Sequence, residues 1–135
     1  MTTLFFMSRK NLYKAALILQ GMYIFITALW ALTDIKSFMI ITGPKTDIWL
    51  VKTVAVSLIS ISLFFILSSA KSEDPAVSFT AFAFSFGFAY IDFFYSLNRT
   101  IRWVYAIDGI IETLFGLLWL YFLFSGLRQK NNGRS

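Results

Sequence analysis

Residues 71–130 read KSEDPAVSFTAFAFSFGFAYIDFFYSLNRTIRWVYAIDGIIETLFGLLWLYFLFSGLRQK. The stretch opens on a helix start signal: Asp74 suits an N-cap, and Pro75 suits the first helical position, where its missing N–H is no loss. No Asp, Glu, Lys or Arg follows between 75 and 91, and none occurs between 113 and 127. Extended over their apolar flanks, both gaps reach the ~20 residues a helix needs to cross a bilayer. The reading is two spans, 75–97 and 101–127, joined by the tight turn NRTIR, which makes them antiparallel neighbours.

The same pattern holds upstream. Residues 15–33 and 53–70 are also free of charge and give spans over 12–32 and 48–70, with the short turn KSEDP leading from the second span to the third as another hairpin. The first span is expected to be a membrane segment and not a signal peptide, because its apolar run exceeds the usual ~7–15 residues and no A-x-A site closes it. Between the first two spans lies TDIKSFMIITGPKTD, with Gly43-Pro44 as a breaker, Asp47 as an N-cap for the second span, and FMII expected to lie along the membrane surface. The fold class that follows is all-α: a polytopic membrane protein, an antiparallel bundle of four transmembrane helices forming one domain over 1–135. Composition points the same way. The chain is 58% hydrophobic, 19% aromatic and only 14% charged, against about 25% charged in ordinary soluble domains.

Zero Cys and zero His exclude a disulfide, a catalytic thiol, a histidine base, a Cys or His zinc site and histidine-ligated haem. No cofactor and no metal site is expected, and Gly-rich phosphate loops are absent. The net charge of +5 is spread between apolar spans and forms no continuous basic stripe, so the expected partner is the lipid bilayer and not nucleic acid. With four spans both chain ends share a side. That side carries Arg9, Lys10, Lys14, Lys71, Arg128, Lys130 and Arg134, against Lys36, Lys45, Lys52, Arg99 and Arg102 on the other, where most of the acids also lie. The positive-inside rule then puts both termini in the cytoplasm.

Three carboxylates stand where carboxylates are costly. Asp92 lies just inside the end of the third span, and Asp108 and Glu112 lie within the fourth, all in one leaflet with Glu112 deepest. Asp108 and Glu112 are spaced i,i+4 and share a helix face, as Asp92 and Tyr95 do at i,i+3. A charge at a span centre costs on the order of 3 kcal/mol on insertion scales, so these groups are expected to face the protein interior and find partners among Lys52, Arg102 and Tyr95. Carboxylates lying close together there would share a proton, the minimum equipment for proton transfer or acid–base chemistry. The structural alternative is an ion-pair lock that fixes helix pairing. It is the favoured role for Asp92 with Arg102 or Lys52, whereas the depth of Glu112 favours function. Tyr105 extends the polar region. Trp30, Trp49 and Trp103 read as interface anchors.

Small residues Ser78, Ala81, Ser85 and Ala89 continue at helical spacing onto Asp92 and Ser96, and Gly109 and Gly116 flank Glu112, which marks these faces for close helix contact. In the loop before the second span, Lys45, Asp47 and Trp49 with Lys52 form either a headgroup or anion clamp or an ordinary capped re-entry into the membrane.

The segments GPKTDIWLVKTV (43–54) and AYIDFFYSLNRTIRWVYAIDGIIE (89–112) resemble an uncharacterised family of small bacterial four-span membrane proteins. No activity comes with that resemblance, but it implies a multi-pass protein of the bacterial cytoplasmic (inner) membrane. In layout alone the chain is similar to the compact four-helix DoxX-like and emopamil-binding/sigma-2 receptor-like membrane proteins. The latter similarity implies a carboxylate-lined pocket for an apolar amine. Three functions compete. The first is a site on the non-cytoplasmic side, built on Asp92, Asp108, Glu112 and Lys52, that binds a small cationic, zwitterionic or lipid-like ligand and either holds it or catalyses a proton-dependent step. The second is proton or cation transport by a homodimer or larger homo-oligomer. The third is a non-catalytic subunit or assembly factor of a larger membrane-protein partner.

Overall fold

The computed structural model describes residues 7–132; Arg134 and the two chain ends, whose cytoplasmic placement the sequence suggests, lie outside the described residues. The described chain is helical throughout its regular structure: α1 (Arg9–Thr33), α2 (Ile35–Thr42), α3 (Ile48–Ser68), α4 (Pro75–Leu97) and α5 (Val104–Asn132). Four of these, α1, α3, α4 and α5, are long and apolar enough to cross a membrane. The chain divides between residues 72 and 73 into two compact units, so the hairpin expected of the second and third spans straddles a unit boundary.

Local chemistry sets the helix limits. Ser8 caps α1 by accepting from the Asn11 N–H, and Asp74 caps α4 by accepting from the Ala76 N–H at 2.8 Å, with Pro75 at the first position. Asp47 occupies the N-cap position of α3, but its side chain makes no cap hydrogen bond; its carbonyl accepts from Leu50 and Val51. The last span starts at Val104, three residues later than the sequence reading. Arg99 adopts a left-handed φ of 56°, and the Thr100 and Ile101 N–H groups both turn back to the Tyr95 carbonyl, so the chain needs these residues to reverse direction.

In the first unit, the linker read as a surface segment holds a helix of its own, α2. Asp34 ends α1 and starts α2: its N–H donates to the Trp30 carbonyl while its carboxylate accepts from the Ser37 N–H at 3.1 Å. The hydrogen bonds from Ser37 hold the Asp34 carboxyl below the usual aspartate range. Trp30, expected as an interface anchor, donates its indole N–H to Ser37 Oγ at 2.7 Å and meets the Phe38 ring edge-on at 5.4 Å, which fastens α2 to α1. The core beneath is Ala28, Ala31, Phe38 and Ala55, surrounded by Val51, Leu58 and Ile59.

Gly21 brings α1 and α3 together. A Cβ there would stand 3.1 Å from the Ser62 carbonyl and 2.7 Å from Ile66 Cγ1. Seven residues further along α1, Ala28 joins Ala55, which lies seven residues back along α3 from Ser62. The two helices are therefore antiparallel with small residues at the seam, the packing expected where lipid supplies no hydrophobic drive between helices.

The second unit is an α4–α5 hairpin with the same construction. The buried face of α4 is Val77, Ser78, Ala81, Ser85, Ala89 and Asp92, the small-residue stripe of the sequence. A Cβ on Gly109 would lie 3.2 Å from Asp92 Cβ, and one on Gly116 would lie 3.5 Å from Ser85 Cβ. Seven residues up α5 again correspond to seven residues back along α4. Trp119 is wholly buried and packs against Phe122 at 5.6 Å, so its role is packing and not lipid contact.

Candidate functional site

Asp92 is buried because helical periodicity carries the small-residue face of α4 straight onto it. Ser85 and Ala89 let α5 approach, and Gly109, with no Cβ, lets the α5 backbone close in at the level of Asp92. The consequence is chemical. The Asp92 carboxyl comes within hydrogen-bonding reach of Asp108 across the helix pair, and Glu112 is its next acidic neighbour. Asp92 is 4% exposed and Glu112 2%, while Asp108 is half-buried. The register of the hairpin puts Glu112 at the level of Ala89, midway between the Gly109–Asp92 and Gly116–Ser85 approaches.

Two buried oxygens at this place have no hydrogen-bond partner: Asp92 Oδ2 and, one helical turn further along α4, Ser96 Oγ. An unsatisfied buried polar atom costs about 1–3 kcal/mol, more when it carries charge. The charged neighbours acting on Asp92 are both acids, Asp108 and Glu112. Arg102, the candidate cation of the same unit, is not among the charged neighbours of Asp92, so the ion-pair lock expected between those two is not its arrangement. Glu112 lies about eight residues into α5, roughly 12 Å along the helix axis.

The remaining candidates are distributed as follows. Tyr95 is partly exposed, sits edge-on to Phe94 at 5.2 Å, and contributes its carbonyl to the turn. Arg102 is exposed just before α5 and Tyr105 is half-buried in its first turn. Lys45, Asp47, Trp49 and Lys52 belong to the first unit. There Lys45 Nζ donates to the Thr42 carbonyl at 3.3 Å, closing the end of α2, where a cation also suits the helix dipole. Lys52 and Asp47 are exposed, and Trp49 is 69% exposed.

Sequence reasoning passed over Gln20 and Ser62, both fully buried in the first unit. The signal was present in ALILQGMY, where a lone amide interrupts an apolar run beside the glycine of the helix seam. Ser62 Oγ donates within its own helix, to the Ile59 carbonyl at 2.7 Å.

Within the α4–α5 unit, Asp92 keeps one acceptor oxygen without a hydrogen-bond partner. Such a site attracts a cation or a proton. Among the described residues no three acidic side chains converge as ligands of a metal ion would. Comparisons of this chain with protein-family models, with curated proteins and with solved structures return no match.

Proposed function

We propose that this protein is a multi-pass protein of the bacterial inner membrane whose α4–α5 hairpin binds a small cationic, zwitterionic or lipid-like ligand through the ammonium group of that ligand. The observation that carries the reading is Asp92. It is a buried acid whose charged neighbours are two further acids and whose Oδ2 has no hydrogen-bond partner. A carboxylate cluster in an apolar span is expensive, and such groups are retained where they meet a substrate, an ion or a proton. A quaternary or substituted ammonium matches the site in charge, and its alkyl groups match the Phe-rich surroundings of α4. Glu112, the deepest acid, is the principal counter-charge; Asp108, half-exposed, is the point of entry.

The test is a thermal-shift and binding measurement on the full chain in neutral detergent, with tetrapropylammonium as the permanent cation and an uncharged alkyl alcohol of similar size as control. Wild type is expected to be stabilised by the cation and not by the alcohol. Glu112→Gln is expected to stay folded and to bind roughly tenfold more weakly or worse, the scale of one lost charge-assisted contact at ~1.5–3 kcal/mol. Equal response to cation and alcohol, or an unchanged affinity in the variant, overturns the reading and favours a structural membrane subunit.

A further inference from the structure

We infer that the ligand's ammonium group carries N–H bonds that bridge Asp92 Oδ2 and Ser96 Oγ, and that Ser96 selects such a protonated amine over a quaternary one. This rests on the ligand-binding reading above and names the class of ligand. Both oxygens are buried and neither has a hydrogen-bond partner. Asp92 is 4% exposed, on the face of α4 that packs against α5. Ser96 follows it by four residues, so the two side chains lie on one face of the helix.

Ser96 departs from the habit of serines elsewhere in the spans. Ser57, Ser60, Ser78 and Ser125 each donate the hydroxyl to the carbonyl four residues earlier. Ser96 has the same carbonyl within its helix, and its own backbone is fixed in the last turn of α4, where its carbonyl accepts from the Arg99 N–H at 3.0 Å. Its Oγ nevertheless makes no such bond. A hydroxyl that forgoes the local carbonyl keeps its donor and its lone pairs available to another molecule.

The spacing fits one nitrogen. Side chains one turn apart have their Cβ atoms about 5–6 Å from each other, and a nitrogen donating along tetrahedral directions to two oxygens at about 2.9 Å each sets those oxygens about 5 Å apart. A primary or secondary ammonium therefore gives one N–H to the Asp92 carboxyl, as a charge-assisted bond, and one to a lone pair of Ser96 Oγ. A quaternary ammonium has no N–H; it is held by charge alone and leaves both oxygens unpaired. A site of buried hydrogen-bonding groups rejects the analogue that lacks the matching group, because its own polar atoms then stay unsatisfied.

A pair of isomeric cations tests this. Dibutylammonium carries two N–H groups and tetraethylammonium carries none, at equal charge and composition. Binding of each to the full chain in neutral detergent is measured by titration calorimetry. Wild type is expected to hold dibutylammonium about tenfold more tightly or better, the scale of one charge-assisted hydrogen bond. Ser96→Ala is expected to cut that preference several-fold with tetraethylammonium binding unchanged, and to leave the unfolding midpoint of the ligand-free chain level or higher, since it removes an unpaired hydroxyl. A parallel arm compares nanodiscs of ethanolamine-headgroup lipid, whose ammonium has N–H groups, with choline-headgroup lipid, whose ammonium has none. Weaker dibutylammonium binding in the ethanolamine lipid identifies a lipid headgroup as the natural source, and equal binding in both identifies a free amine. Equal wild-type affinity for the two isomers overturns the N–H bridge while leaving the ligand-binding reading intact. A preference undiminished in Ser96→Ala, or a clear fall in its ligand-free midpoint, overturns the role of Ser96. Binding of neither isomer overturns the proposal, and the ligand-binding reading falls with it where tetrapropylammonium also fails to bind.

Discussion

Asp34 and Asp92 are the same side chain in opposite settings, and the contrast predicts opposite behaviour. Asp34 is exposed and receives hydrogen bonds from Ser37, which favour its ionised form and lower its titration below the ordinary aspartate value of 3.8. A carboxyl lowered on folding contributes stability that is present above the unfolded value and lost as pH falls through the folded one. Replacing Asp34 by Ala is therefore expected to loosen α2 at neutral pH, and the difference from wild type should shrink as pH drops below the usual aspartate range. Hydrogen exchange of the α2 amides at both pH values measures this. Asp92 faces acids, so Asp92→Asn removes a potential charge and supplies an amide donor to Asp108. The midpoint of thermal unfolding in detergent is expected to hold or rise, by an amount equivalent to about 1 kcal/mol. A clear fall would reveal a cationic partner instead.

Helix seams here depend on missing atoms. At Gly21 a Cβ would press on the Ser62 carbonyl and on Ile66 Cγ1, the first of which is backbone and cannot rotate aside. Gly21→Ala is expected to destabilise the α1–α3 hairpin by about 1–3 kcal/mol, the usual range for overpacking, read as a lower unfolding midpoint of the full chain. Gly116→Ala meets mainly the Phe86 ring at 2.6 Å, a side chain 40% exposed that has room to swing, so its effect should be the smaller of the two. The short α2 depends on a different device. Removing the Trp30 indole N–H by Trp30→Phe leaves Ser37 Oγ without that donor and is expected to cost about 1 kcal/mol, with faster exchange confined to α2.

Membrane sidedness belongs to the whole chain, and the absence of native cysteine makes it measurable. Ser72 and Thr100 are both exposed, in the turns before α4 and before α5. Single-cysteine variants at these positions are expected to label from opposite sides of the membrane, Ser72 from the cytoplasm and Thr100 from outside. Labelling of both from one side would remove a span. Reversal of the two would invert the orientation and place the acid site in the cytoplasmic half.

What the sequence determined alone is the number and approximate extent of the apolar helices, because hydrophobic length and charge-free gaps are local properties that any bilayer reads in the same way. The start of α4 was equally legible, since Asp74 and Pro75 act on their own backbone. Three features depended on tertiary structure. The α2 helix is held by Trp30 and Phe38 from opposite ends of a short segment, a contact its own eight residues do not encode. The division into two hairpin units follows from which small-residue faces meet, and every span carries such residues. The partner of Asp92 was decided by register: spacing along α5 aligned Asp108 with Glu112, but only the close approach at Gly109 brought Asp108 to Asp92. One-dimensional spacing sets which residues share a helix face; the sliding and separation of two faces is set by the atoms between them.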